Sequence, residues 1–337
     1  MKRIGNLYEQ IISMENLRLA DERARRGKLR SYGVRRHDAH REEELERLHE
    51  LLRTKTYRTS EYDVFKVYRP KERVIYRLPY YPDRIVHHAV MNVLEPIWVS
   101  VFTHNTYSCI KGRGITGCAR RVRKIIDGYA GRPLYCLKLD VRKFYPSIDH
   151  DVMKDIVRKK IKDKDLLWLL DEIIDSAKGL PIGNYLSQFL ANLYLAYLMH
   201  YVNEELRVDA TEYADDICVF SDSKERLRDV LDKVRGYLRG LRLEVKGDYQ
   251  IFPIATDRYS RDGRALDYVG YLFYREHTWL RKSIKKRMCR RAARLNSRGV
   301  SVERYRSKMA SWLGWAKHCD SRHLLSTIIS KDYEGLL

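Results

Sequence analysis

Ala210-Thr211-Glu212-Tyr213-Ala214-Asp215-Asp216-Ile217-Cys218-Val219-Phe220 sets two adjacent aspartates between two short strand-forming runs. Such runs, broken by a short polar step, predict a hairpin. Ala210 to Tyr213 leads in, Asp215 and Asp216 sit near the bend, and Ile217 to Phe220 leads out. Carboxylates among apolar strand residues are unfavourable unless paired, hydrogen-bonded or bound to metal. Two in a row add like-charge repulsion. An isolated Asp-Asp is also common in turns, where the side chains bond the backbone. The pair therefore needs a partner elsewhere before it means anything.

That partner lies upstream. The run Leu134 to Leu139, LYCLKL, ends at Asp140 and predicts a central strand. Tyr145-Pro146-Ser147-Ile148-Asp149 then predicts a turn capping a helix from about His150. A buried helix is expected over 185–206. Another is expected from Lys224, with Leu227, Val230, Leu231, Val234, Leu238 and Leu241 at helical spacing. Strand, helix, helix, hairpin, helix is an α+β order suited to a small antiparallel sheet backed by helices. A strand-borne Asp140 beside a hairpin-borne Asp215-Asp216 pair suits Mg²⁺, which prefers oxygen ligands and shares its shell with phosphates. Two such ions about 3.5–4 Å apart activate an attacking hydroxyl and stabilise a leaving pyrophosphate. The expected chemistry is template-directed nucleotidyl transfer.

The charge balance agrees. The chain has 337 residues with 66 Lys plus Arg against 45 Asp plus Glu, a net charge of +21. That surplus favours a polyanionic partner by counterion release and long-range attraction. An anionic membrane would serve the charge equally well, but no span is convincing. The most apolar window, Tyr185 to Val202, is interrupted by Ser187, Gln188, Asn192 and His200. The start, Met1-Lys2-Arg3-Ile4-Gly5, runs into a polar helix-like segment, so no secretory signal and a cytoplasmic location are expected. The six cysteines form no C-x-x-C pair, which argues against zinc and for small buried thiols.

Outward from the centre, residues 1–58 read as charged helices, one with an apolar stripe of Leu45, Leu48, Leu51 and Leu52. The basic run Arg25 to Arg36 reads as a solvated loop, with a template-contacting arm as the functional alternative. Residues 61–78 predict a hairpin turning at Pro70-Lys71-Glu72, and Asp83 to Pro96 a helix. Residues 105–124 predict a glycine- and arginine-rich loop entering a basic helix. Residues 281–298 carry nine Lys or Arg, with Ile284, Met288, Ala292 and Leu295 on one helix face. The basic side would meet a template–product duplex; a solvated face or a membrane surface is the alternative. Trp312 and Trp315 are expected in the core of the last helices.

Asp140-Val141-Arg142-Lys143-Phe144-Tyr145 and Tyr213-Ala214-Asp215-Asp216 resemble the two metal-binding motifs of reverse transcriptases. The resemblance implies a right-hand polymerase with fingers, palm and helical thumb. It implies that Asp140, Val141, Asp215 and Asp216 hold two Mg²⁺ ions, with Asp216 less direct, and that deoxynucleoside triphosphates are the substrates. Tyr145 matches the aromatic gate against a ribose 2′-hydroxyl; an ordinary core tyrosine is the alternative. Asp83-Arg84 to Ala89, with Lys71 and Arg73, matches the fingers, and the resemblance makes Lys71 and Arg73 triphosphate contacts; solvated side chains at a hairpin tip are the alternative. Val269, Gly270 and Tyr271 resemble the primer grip, and Arg281, Lys282, Lys285 and Lys286 open a thumb that contacts nucleic acid. Lys246 lies near the family's palm-end lysine, although the local spacing differs.

Gly179 to Gln188, GLPIGNYLSQ, is more discriminating. Most bacterial reverse transcriptases read Gln-Gly-x-x-x-Ser-Pro here. Ile182-Gly183 with Ser187-Gln188 instead resembles the enzymes of diversity-generating retroelements. These copy a template-repeat RNA into cDNA with errors at adenines, and act with a small basic pentameric accessory variability protein. Isoleucine cannot hydrogen-bond near a nascent base pair as an amide would. Ile182 is therefore expected to lower fidelity, with a plain core residue as the alternative. The resemblance gives an N-terminal helical extension over 1–58, fingers over 59–132, palm over 133–272 with a fingers insertion near 150–185, and thumb over 273–337. Other readings are a retron, group II intron-like or defence-associated reverse transcriptase, and a non-catalytic RNA-binding protein of the same fold. The end at Leu337 is expected to leave no room for a large maturase or endonuclease domain.

Overall fold

The computed structural model describes residues 2–68, 72–330 and 333. The strands among them are β1 (Asp63–Val67), β2 (Arg73–Arg77), β3 (Tyr135–Asp140), β4 (Asp209–Tyr213), β5 (Asp216–Ser221), β6 (Gln250–Pro253), β7 (Leu266–Tyr268), β8 (Tyr271–Phe273) and β9 (Thr278–Leu280). The chain divides into two units. One gathers Met1–His104, Val141–His200 and Arg235–Val245; the other gathers Asn105–Asp140, Tyr201–Val234 and Lys246–Leu337.

In the second unit β4, β5, β3 and β6 form an antiparallel sheet in that order. The apolar run ending at Asp140 becomes β3, flanked by β5 on one edge and β6 on the other. The helix Gly114–Gly128 follows the predicted glycine-rich loop and buries Cys118, Ala119, Val122, Ile125 and Ile126. These residues join Cys136, Cys218 and Phe220 in one apolar core. Each large side chain so buried contributes roughly 1.5–3 kcal/mol. A smaller sheet of β7, β8 and β9 continues that core. The helices Lys282–Asn296, Val302–Ala316 and Arg322–Ile328 follow it. Met288, Ala292 and Leu295 are buried as the periodicity predicts, and Ile284 packs against them. Trp312 and Trp315 are only half-buried at the core's margin, because Trp315 lies over the β7–β8 turn.

In the first unit Leu45, Leu48 and Leu52 are fully buried and Leu51 partly so, on the helix Arg41–Arg53. The neighbouring helix Met14–Ala24 carries a buried Asp21. Its burial alone would raise the carboxyl's pKa. Bonds from His37, Tyr80, Arg41 and Arg25 outweigh that and hold it below the ordinary value. The basic run is not wholly a loop. Its second half begins the helix Tyr32–Asp38, where Gly33 fits against Tyr80. β1 and β2 pair antiparallel as predicted, while Pro70 and Lys71 of the expected turn lie outside the described residues; Ile85–Val99 is the predicted helix. Asp149 caps the helix His150–Arg158, its carboxylate accepting from Val152 N at 3.1 Å. Ser187–His200 is a helix buried on nearly all sides.

All six cysteines are free. Cys118, Cys136 and Cys218 are buried as expected, whereas Cys109 is exposed on its loop. Among the described residues no helix is long and apolar enough to cross a membrane.

Candidate active site

The register of β3 against β5 sets Asp140 directly opposite Asp216. Tyr213 pairs with Asp216 across the neighbouring hairpin, so Ala214 and Asp215 form its two-residue turn. Ala214 takes φ +59°, the positive value a type II′ turn needs at its first central residue. An alanine there is strained by roughly 1–2 kcal/mol. The hairpin thus places the three sequence-predicted carboxylates on two adjacent strand ends.

Opposed like charges destabilise a sheet. Lys246 is a cation that feels both Asp140 and Asp216, and its backbone N–H donates to the Asp140 carbonyl at 2.8 Å. Its ammonium is held mainly by Asp248 at 2.6 Å, which raises its pKa. An all-oxygen donor set on two opposed strands fits a hard divalent cation that completes its shell with water and phosphate. Among the described residues no three His, Cys, Asp or Glu close into a preformed metal cage. Val141, next in the chain, is buried and bridges to Val245.

The β7–β8 turn lies in the same unit. Val269 and Gly270 both take positive φ, +40° and +89°, the pattern of a type I′ turn. A β-branched residue there is a genuine outlier. Gly270 is required for space: a Cβ would stand 2.5 Å from Trp315 Cζ3 and 2.8 Å from Ile284 Cδ1. The Tyr271 hydroxyl donates to the Trp315 carbonyl at 3.0 Å. Two bonds tie this hairpin to the acidic sheet. The Tyr268 hydroxyl donates to the Asp216 carbonyl at 3.0 Å, and the Lys138 ammonium to the Asp267 carbonyl at 2.9 Å. Arg281 is engaged by Asp267 at 2.5 Å, while Lys282, Lys285 and Lys286 are exposed on their helix.

Sequence reasoning passed over Lys138 and Glu212, and took Tyr268 only as the first residue of the primer-grip turn. Glu212 lies beside Tyr213 in β4 and is fully buried. Burial pushes its pKa up to about 8, against a bond from the Thr106 hydroxyl at 2.8 Å. The only sequence signal was an acidic residue inside a strand.

The remaining candidates belong to the first unit. Tyr145 is half-buried, and its hydroxyl donates to Gln188 Oε1 at 2.6 Å. Ile182 is half-buried, and its carbonyl accepts from Tyr76 N at 2.8 Å, extending the edge of β2. Gly183 lies against the Tyr76 carbonyl. Ser187 is buried at the start of its helix. Arg73 is exposed at the first position of β2. Lys71 lies outside the described residues.

A sequence profile described as "Reverse transcriptase (RNA-dependent DNA polymerase)" matches residues 66–248, more than half of the chain. The chain belongs to the reverse transcriptase family. Protein YkfC of Escherichia coli K12 is 23% identical over 250 residues, 60% of this reverse transcriptase and 66% of YkfC. The retron Ec73 reverse transcriptase of Escherichia coli is 25% identical over 261 residues, 72% of this chain and 79% of the retron enzyme. The group II intron-encoded protein LtrA of Lactococcus lactis matches 37% of the chain at 24% identity, and 22% of LtrA. The chain thus spans just under two thirds of YkfC and far less of LtrA. Among solved structures, telomerase from Candida tropicalis in complex with a telomeric RNA fragment superposes with a TM-score of 0.51. It is 12% identical, covering 84% of this chain and 58% of that one. The likeness bears out the mixed fold of small antiparallel sheets backed by helices.

Proposed function

We propose that this reverse transcriptase is an RNA-directed DNA polymerase that copies a template-repeat RNA into adenine-mutagenised cDNA for a diversity-generating retroelement. The polymerase reading is carried by the register that opposes Asp140 to Asp216, with Asp215 in the adjoining turn. Asp140, Asp215, Asp216 and the Val141 backbone would hold two Mg²⁺ ions. When bound, the metal supplies charge neutralisation for the attacking primer hydroxyl and the leaving pyrophosphate. Lys71 and Arg73 hold the triphosphate as point charge and fork. Tyr145 excludes a ribose 2′-hydroxyl. Val269, Gly270 and Tyr271 hold the primer terminus, and Lys282, Lys285 and Lys286 bind duplex phosphates.

The finer assignment rests on Ile182-Gly183 and Ser187-Gln188. An aliphatic side chain at 182 offers no hydrogen bond to report a mispair. The accessory variability protein is the partner that this assignment brings with it. Similarity to the retron Ec73 enzyme over 72% of the chain favours a second reading, a retron-type enzyme with ordinary fidelity. Primer extension on a defined RNA with Mg²⁺, followed by cDNA sequencing, separates the two. Errors concentrated opposite template adenine support the retroelement assignment. Errors spread evenly over the four bases remove it and leave the retron-type reading.

A further inference from the structure

Tyr145 is held at both ends. At the backbone, Leu180 N donates to the Tyr145 carbonyl at 2.8 Å, and Gly179 lies against that same carbonyl. Gly179 has φ +64°, and a Cβ on it would drive into the Tyr145 oxygen and stand 2.8 Å from Pro146 Cα. The preceding Phe144 is buried and meets the Tyr145 ring edge-on, with centroids 5.6 Å apart. At the far end of the side chain, the hydroxyl donates to Gln188 Oε1 at 2.6 Å. Gln188 is itself braced. Its Nε2 donates at 3.2 Å to Oδ1 of Asn192, a buried residue one turn along the same helix. An amide has one acceptor and one donor end. With Nε2 on Asn192, the acceptor end of the amide faces the tyrosine.

A steric gate works only if its ring stays in place when a 2′-hydroxyl presses on it. A tyrosine ring moves about two torsions; a bond at its hydroxyl restrains the first, while rotation about the ring's own axis, on which the hydroxyl oxygen lies, is restrained by the edge-on Phe144 contact. We propose that Gln188 is a positioning residue that locks the Tyr145 ring through its hydroxyl and so sets sugar discrimination. The proposal rests on the polymerase reading and on Tyr145 as the gate. Alanine at 188 would leave the tyrosine tethered at its backbone and remove this bond from the far end of its ring.

The test measures kcat and KM for dGTP and for GTP on an RNA template, with melting temperatures to show that each variant is folded. Gln188→Ala is expected to lower dGTP-over-GTP discrimination about fivefold, the ratio equivalent to the roughly 1 kcal/mol of one neutral hydrogen bond. Tyr145→Phe keeps the ring and loses the hydroxyl, so it should give the same loss. The double variant should lose no more than either alone. Gln188→Glu keeps the acceptor toward Tyr145 but loses the donor to Asn192, so its discrimination should fall between that of the parent and that of Gln188→Ala. Undiminished discrimination in Gln188→Ala, while Tyr145→Ala admits GTP, overturns the positioning role and leaves the gate standing. Multiplicative losses in the double variant overturn it too. If Tyr145→Ala still rejects GTP, the gate reading itself fails and takes the proposal with it.

Discussion

The acidic hairpin and the loop closed over Tyr145 are held by different forces. At the hairpin, backbone register does the positioning: β3, β4 and β5 fix where Asp140, Asp215 and Asp216 stand whatever their side chains. Around Tyr145 the fixing elements are a glycine pressed on a carbonyl and a hydrogen bond between side chains 43 residues apart. The first region should therefore keep its structure and lose its chemistry when mutated. The second should lose structure or selectivity while its chemistry persists.

The sharpest break of that contrast is at the carboxylates. Asp215→Asn with Asp216→Asn is expected to abolish Mg²⁺-dependent primer extension by about a thousandfold or more, equivalent to several kcal/mol. Its melting temperature should hold or rise, because opposed charges are removed. Extension that survives would remove the metal-site assignment. Unfolding would show that the carboxylates, and not the register, hold the hairpin.

Gly179→Ala is the reciprocal change. The new methyl meets the Tyr145 carbonyl at a left-handed backbone position, so a loss of roughly 2 kcal/mol or more is expected in chemical denaturation. Unchanged stability would mean that this loop yields easily and is a poor mount for a gate.

Glu212 tests the hairpin by pH. Its folded pKa of about 8 lies above the ordinary unfolded value near 4.3. In that window the folded state keeps a proton that the unfolded state has released. Its contribution to stability is full below about pH 4.3 and is lost as pH rises through about 8, by at most about 1.4 kcal/mol per unit. Glu212→Gln should flatten the fall in melting temperature between pH 5 and 8. An unaltered slope would mean that Glu212 is ionised in the folded protein.

The smallest effect is expected at Asp149. Asp149→Ala removes the cap on the helix His150–Arg158 and should cost about 1 kcal/mol in thermal melts. It should leave sugar discrimination alone, since the cap does not bond Tyr145. A selectivity change there would blur the distinction between scaffold and gate.

Sequence alone determined the strand ending at Asp140, the hairpin around Asp215-Asp216 and the amphipathic helices at 41–53 and 282–296. Each is written in a local period of two or 3.6, and burial of one face follows from the pattern. It also carried the family, because the aspartates sit in short contiguous motifs. The tertiary structure decided the rest. It matched Asp140 to Asp216 rather than to Asp215, and tied Tyr268 to the Asp216 carbonyl. It made Glu212 a buried acid, laid Trp315 over Gly270 and joined Tyr145 to Gln188. These pairings join residues distant in the chain through one hydrogen bond or one van der Waals contact. No periodicity records them; they exist only once packing has brought the partners together.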